Sequence, residues 1–318
     1  MLARLFLVPA LLAAAPAGAQ TASADPLAIV GNWVGKFAAI SAEPTAAAAA
    51  CGPQLGNAVG TARDAAAARA AVPRIRPCLD QIRAAYRRSV ESLAQFGAAP
   101  AEVQAAAPFD ANGLIEQQRK QFVAALAYID DLEAFLGAMA ANDRPGATRL
   151  VPKVRSGGAA LVDGSILQLR AYQGTARFGF TRSAIELRIL VAEATKLPMT
   201  GTASQAGFAI GGGLNALAPR ARAAAAAVRS GWEQDKASLR ALAGGDAGIE
   251  RLIGPATPMV DTIAASGDQI AVGLQRGGSQ PVVPVADMIA LMNELSQHEL
   301  TIARSVQNFA QTLQTIGK

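Results

Sequence analysis

Residues 285–316 read VADMIALMNELSQHELTIARSVQNFAQTLQTI, and their spacing decides the fold. Met288, Met292, Leu295, Ile302, Val306, Phe309, Leu313 and Ile316 alternate steps of four and three. That is the period of one apolar stripe on an α-helix. A helix over 285–316 is about 48 Å long at a rise of 1.5 Å per residue. A stripe of that length demands partners of similar length, so an antiparallel bundle of long helices is expected. The segment Gly113 to Asn142 is the natural partner. Its Ile115, Phe122, Ile129, Leu132, Leu136 and Met139 repeat at helical steps.

Further out the same period recurs. Leu79, Ile82, Tyr86, Val90, Leu93 and Phe96 mark a helix that opens at Pro77, where proline suits a first turn. Gly97 to Pro100 end it, and Asn142-Asp143-Arg144-Pro145-Gly146 stop the one after. Lys153 to Gln173 carries Val154, Leu161, Leu169 and Tyr172, with Gly157, Gly158, Gly164 and Ser165 between them. Small residues on a packed face let a neighbouring helix approach closely. Ser183 to Glu186 has the pattern of a capping box opening a short helix that closes at Leu197, before Pro198. Further helices are expected from Arg220 to Ala243 and from Thr257-Pro258 onward, with Gly277 to Pro284 as a linker. Ile29 to Phe37 has some strand character. Asp25-Pro26 reads better as a cap and first turn, with Trp33 and Phe37 one turn apart on a buried face. Thr45 to Ala50 is alanine-rich and reads as a loose helix or linker. The class is therefore all-α, with about seven or eight amphipathic helices. Aromatic residues at 5% of the chain agree, because strands are rich in them.

The first nineteen residues say where such a protein works. Arg4 precedes an apolar run from Leu5 to Ala15, and Ala17-Gly18-Ala19 supplies an A-x-A end. This is the layout of a secretory signal peptide cleaved after Ala19. The expected organisation is a signal peptide over 1–19 and a helical domain over 20–318, with a hinge or loop near 200–219. No later stretch reaches the roughly 18 apolar residues that span a bilayer, so no transmembrane span is expected after cleavage. No cysteine follows the site, which argues against a lipid anchor. Arginine outnumbers lysine 23 to 6, the bias of a GC-rich bacterial genome, and an exported protein of such a cell is expected in the periplasm. In that oxidising compartment Cys51 and Cys78 are expected to pair.

The chemistry on offer is narrow. There is one histidine, His298, which excludes H-E-x-x-H zinc sites and paired E-x-x-H di-iron sites by count. There is no G-x-S-x-G elbow, S-x-x-K, P-loop or G-x-G-x-x-G. No catalytic, metal or cofactor residue is assigned, and no cofactor is expected. Glu299 occupies the stripe position between Leu295 and Ile302, where an apolar residue belongs. Buried there, it needs an arginine or a polar cavity, and it would anchor a cationic ligand or fix helix register. Alternatively, a straight helix drifts about 20° per heptad from the 3.5 repeat and carries Glu299 to the stripe's edge. His298 lies four residues after Glu294, a spacing that pairs them on one exposed face; alternatively they join Glu299 as a candidate ligand or register group, with His298 pH-sensitive. Arg74, Arg76, Arg83, Arg87 and Arg88 form the densest basic cluster, a candidate anion-binding face. Asp80 and Glu91 stand at pairing distance from Arg83 and Arg87, so a self-neutralised face is the competing account. Gly211-Gly212-Gly213 offers amides for an anion or simply a loop.

These features favour a non-catalytic binding or scaffold role in the cell envelope. One alternative is a small-ligand bundle with an interhelical pocket around Glu299; another is an enzyme using carboxylate and arginine chemistry without a linear motif. A net charge of +5 admits an anionic envelope component or another envelope protein as partner. Nucleic acid is not expected, since aromatics interleaved with the basic residues are missing apart from Tyr86.

Overall fold

The computed structural model describes residues 26–316 apart from 62–63, 108, 205 and 244–246. Residues 1–19, read above as a signal peptide, lie outside the described residues. Ten helices and one two-residue hairpin make up the described chain, two or three helices more than expected. They are α1 (Pro26–Ile40), α2 (Ala42–Thr61), α3 (Ala65–Phe96), α4 (Ala101–Ala106), α5 (Ala111–Ala140), α6 (Arg144–Thr175) and α7 (Gly179–Thr200). The hairpin β1 (Ala203–Ser204) and β2 (Gly207–Phe208) follows, then α8 (Gly211–Ala243), α9 (Ala247–Gly277) and α10 (Val285–Ile316). The chain divides into two compact units. One contains Lys36–Ala101 and Asp110–Ser165; the other contains residues 26–35, Glu102–Phe109 and 166–316.

In the first unit α3 packs against both α2 and α5. Its interior is Ile75, Leu79, Ile82 and Tyr86 of α3 against Phe122, Ile129, Leu132 and Leu136 of α5, all buried. Tyr86 meets Phe122 edge-on at 5.7 Å. The glycines of α6 do what small residues on a packed face allow. A Cβ on Gly157 would stand 3.1 Å from the Tyr128 ring, and one on Gly164 would stand 2.9 Å from Gln121 Cδ. The carbonyl of Leu161 and Ser165 Oγ accept from Gln121 Nε2 at 3.4 and 3.1 Å. Cys51 of α2 is bonded to Cys78 of α3, with Cα atoms 5.5 Å apart.

In the second unit α7 to α10 form an up-down-up-down bundle. Gly179 lies against Gly231 while Gly213 lies against Leu197, which sets α7 and α8 antiparallel. Arg229–Asp268 and Arg240–Glu250 do the same for α8 and α9. Phe180–Phe309 and Arg188–Glu299 do it for α7 and α10. One end of this bundle is an aromatic cluster. Phe180, Phe309 and Trp232 meet edge-on with centroids 4.8–6.0 Å apart. Such contacts add about 0.5–1.5 kcal/mol each beyond area burial.

Several boundaries differ from expectation, most of them at prolines. α3 begins at Ala65, capped by Asp64, whose carboxylate accepts from Ala67 N at 2.8 Å, and runs through Pro73 and Pro77. α9 likewise runs through Pro255 and Pro258. Thr257 is therefore not a cap; its hydroxyl donates to Ile253 O and accepts from Trp232 Nε1. A proline inside a helix costs about 3 kcal/mol, and these helices offset it by burying long faces. Ser183 does not form a capping box either. Its hydroxyl bonds back to Gly179 O, and α7 starts four residues earlier. Asp235 of α8 caps that start from outside, accepting from Gly179 N at 3.1 Å and Phe180 N at 3.2 Å. Pro198 lies inside α7. The stretch 200–219 contains the hairpin and the first turns of α8, and Gly211-Gly212-Gly213 is helical. Thr45 to Ala50 belongs to α2. α10 spans Val285–Ile316 as the stripe predicts. Its partners are α9 and α7, however, while α5 pairs with α3.

Candidate functional site

The polar interruption of the α10 stripe, Glu299, lies inside the second unit. Two helices cover α10, so its buried arc is wide: Leu291, Met292, Leu295, Ile302, Ala303 and Phe309 are all buried. Helix drift therefore does not carry Glu299 to an edge, and that expectation is corrected. Glu299 is 7% exposed. Its Oε1 accepts from Arg188 Nε at 2.7 Å, and the two side chains are 9% and 4% exposed. Arg188 sits in Ile185-Glu186-Leu187-Arg188-Ile189-Leu190-Val191-Ala192 of α7, where Ile185 and Leu187 to Ala192 are all buried. Arg188 is enclosed with these neighbours, so its charge must find an opposite charge. Each ion alone costs several kcal/mol to bury, and the pair persists because the charges compensate at short range.

The other two candidates beside Glu299 do not converge on it. Glu294 pairs with Arg276 of α9 rather than with His298. His298 is half-buried one position from Glu299.

The candidate anion-binding face is largely neutralised from within. Arg83 reaches Asp80 on its own helix and Asp130 and Glu133 on α5, the last at 2.6 Å. Its partial burial would lower its pKa, but the hydrogen bonds to Glu133 and Asp130 outweigh that and raise it. Arg76 shares Glu133 at 3.2 Å. Arg88 donates through Nε to Glu43 of α2 at 2.8 Å. Arg74 and Arg87 are exposed and form no ion pair among the described residues; Arg87 is not bridged to Glu91. The cluster is thus an interhelical ladder with two open arginines. Gly211 to Gly213 cradle nothing as a loop, since they form the first turn of α8, where a Cβ on Gly211 would strike Gln280 O.

A cleft of about 390 Å³ opens where α9 turns into α10. Arg276, Ser279, Gln280, Val283, Asp287 and Leu291 line it, and neither Glu299 nor His298 does. Among the described residues no three His, Cys, Asp or Glu side chains are grouped closely enough to hold a metal ion. Burial pushes the hydroxyls of Tyr86, Tyr128 and Tyr172 well above the usual tyrosine range, which keeps them protonated. Among the described residues no helix is long and apolar enough to cross a membrane. No protein-family model, curated protein or solved structure matches this chain.

Sequence reasoning placed Glu299 but missed Arg188 and Asp235 as partners. The signal for Arg188 was present: a lone cation between Leu187 and the apolar run Ile189-Leu190-Val191-Ala192.

Proposed function

We propose that this chain is an exported, periplasmic helical protein with a non-catalytic binding or scaffold role in the cell envelope. The buried Arg188–Glu299 pair carries this reading. The one carboxylate that the sequence placed in a core stripe is bound to a partner helix, a use that fixes α7 against α10 rather than presenting a reactive group. The ladders Arg83–Glu133 and Arg220–Glu193 spend other charges in the same way. Against a ligand pocket around Glu299, its Oε1 already accepts from Arg188 and the cleft at the α9–α10 turn does not include it.

The test is expression of the full chain in a bacterium, cell fractionation, and mass spectrometry of the recovered protein under native and denaturing conditions. The expected result is a periplasmic protein cleaved after Ala19, with the same mass before and after denaturation. A retained small molecule would shift the assignment to a ligand-binding bundle. Cytoplasmic recovery with an intact N-terminus would overturn the export reading.

A further inference from the structure

We propose that the cleft at the α9–α10 turn binds a short peptide of about three residues by its two free ends. The cleft holds about 390 Å³, within the range of small-ligand pockets, about 300–1,000 Å³. Two charges of opposite sign line it, Arg276 from the last turn of α9 and Asp287 from the first turn of α10. Asp287 is exposed and forms no ion pair among the described residues. Arg276 is tied to Glu294 through Nη2. A guanidinium carries several N–H donors in a planar fork, so this bond leaves others for a second carboxylate.

The spacing of these charges selects the ligand. Asp287, Ala290, Leu291 and Glu294 follow one another at helical steps on one face of α10. The helical rise puts Asp287 and Glu294 about 10 Å apart, and Arg276 is held at the Glu294 end. The ammonium and carboxylate of a free amino acid share one Cα and cannot reach both charges. An extended chain advances about 3.3–3.6 Å per residue, so roughly three residues bring an amine to Asp287 and a carboxylate to Arg276. A simple cation would use Asp287 alone, and an inorganic anion Arg276 alone. Between the charges the cleft is apolar. Val283 and Leu291, both largely buried, line it beside Ala290. Gly277 lets Leu291 settle there, since a Cβ on Gly277 would stand 2.5 Å from Leu291 Cδ2. This floor suits an apolar central side chain, and Gln280 on the cleft wall offers an amide to the peptide backbone.

The proposal rests on the binding role proposed above and names its ligand. The cleft lies at the surface and exchanges its peptide freely, so none is carried through purification. Purified full chain is titrated calorimetrically with the tripeptide alanyl-leucyl-alanine, with its N-acetylated and C-amidated forms, and with free leucine. The expected result is saturable binding of the free tripeptide. Acetylation, amidation and replacement by leucine should each weaken binding on the order of tenfold, the scale of one charge-assisted hydrogen bond. D287N should weaken the free tripeptide by a similar factor, yet bind the acetylated form no worse than wild type does. E294Q, which releases Arg276 without altering a residue of the cleft, should bind the free tripeptide at least as tightly as wild type. Circular dichroism verifies that each variant keeps its helical content, and the blocked peptides probe the same contacts with no change to the fold. Absence of saturable binding would overturn the proposal. So would equal losses of the free and acetylated tripeptides in D287N, or leucine bound as tightly as the tripeptide. Failure of these arms leaves the scaffold role standing, and export is judged by the fractionation experiment alone.

Discussion

Arg188 and Glu299 neutralise each other inside the second unit, 111 residues apart in sequence and 2.7 Å apart in space. Removing one partner strands the other charge. Glu299→Leu should destabilise the unit by about 3–5 kcal/mol, because Arg188 is then buried without its carboxylate. The double variant Arg188→Met with Glu299→Leu should recover most of that loss, since apolar replacement of a buried pair is often neutral or stabilising by about 1–4 kcal/mol. Denaturant titration of the four proteins in the cycle measures both effects. If Glu299→Leu alone raises stability, the pair is not what holds α7 to α10.

The disulfide makes a separate demand on the first unit. Cys51 and Cys78 close a loop of sequence separation 27 between α2 and α3. In the chain-entropy model a loop of that size contributes about 3–4 kcal/mol by restricting the unfolded chain. Cys51→Ser with Cys78→Ser should lower the midpoint of unfolding accordingly, and reductant should do the same to the wild type while leaving the double variant unmoved. A reductant effect that persists in the double variant would trace the loss elsewhere.

How much of this was legible in the sequence depends on the range of the interaction that decides each feature. The bounds of α10 follow from its own stripe and the preceding Gly277 to Pro284, so both ends were readable. Pro77 and Thr257-Pro258 mimic helix starts locally, yet α3 and α9 continue through them because distant faces stabilise the whole length. Glu299 announced itself as a polar residue in an apolar stripe, but its partner lies on another helix and no spacing rule reaches it. The basic cluster was legible only in part. The spacing of Asp80 and Arg83 announced their pair, but the other carboxylates that neutralise Arg76 and Arg83 are Asp130 and Glu133, 47 to 57 residues further along the chain.

The contact between α7 and α8 is close enough to test with one methyl group. A Cβ on Gly231 would stand 2.7 Å from Phe180 N and 2.8 Å from the Gly179 carbonyl carbon, both backbone atoms that cannot rotate away. Gly231→Ala should therefore force the helices apart and destabilise by about 1–3 kcal/mol. Gly137 of α5 is the control, because a Cβ there would meet nothing within 4 Å. Gly137→Ala should stabilise by about 0.4–1 kcal/mol through loss of unfolded-state freedom. Thermal melts of the two variants should move in opposite directions; a shared direction would contradict the α7–α8 packing.

Asp235 ties α8 to the first turn of α7 by a different device. Its two carboxylate oxygens accept from Gly179 N and Phe180 N, donors that have no partner within their own helix. Asp235→Ala should cost about 0.5–2 kcal/mol, the range for loss of a side-chain cap. Amide exchange at Gly179 and Phe180 should rise more than exchange in the middle of α7. Uniform exchange along α7 would argue against a capping role.

Acid should dissolve the bond between Arg240 and Glu250. Glu250 accepts from Arg240 Nε at 2.7 Å, and this hydrogen bond holds its carboxyl below the ordinary value of 4.5. A depressed carboxylate pKa means that the unfolded chain binds the proton more readily than the folded one. The contribution to stability is therefore complete above pH 4.5 and is lost as pH falls through the lower folded value. Glu250→Gln should be less stable than wild type at neutral pH, and the gap should close in acid. Because both groups are at the surface, the neutral-pH gap should also shrink as salt is added. Denaturant midpoints of the two proteins across that pH range, at low and high salt, measure it. A gap that stays constant in acid would mean that the Gln substitution acts through something other than the lost charge.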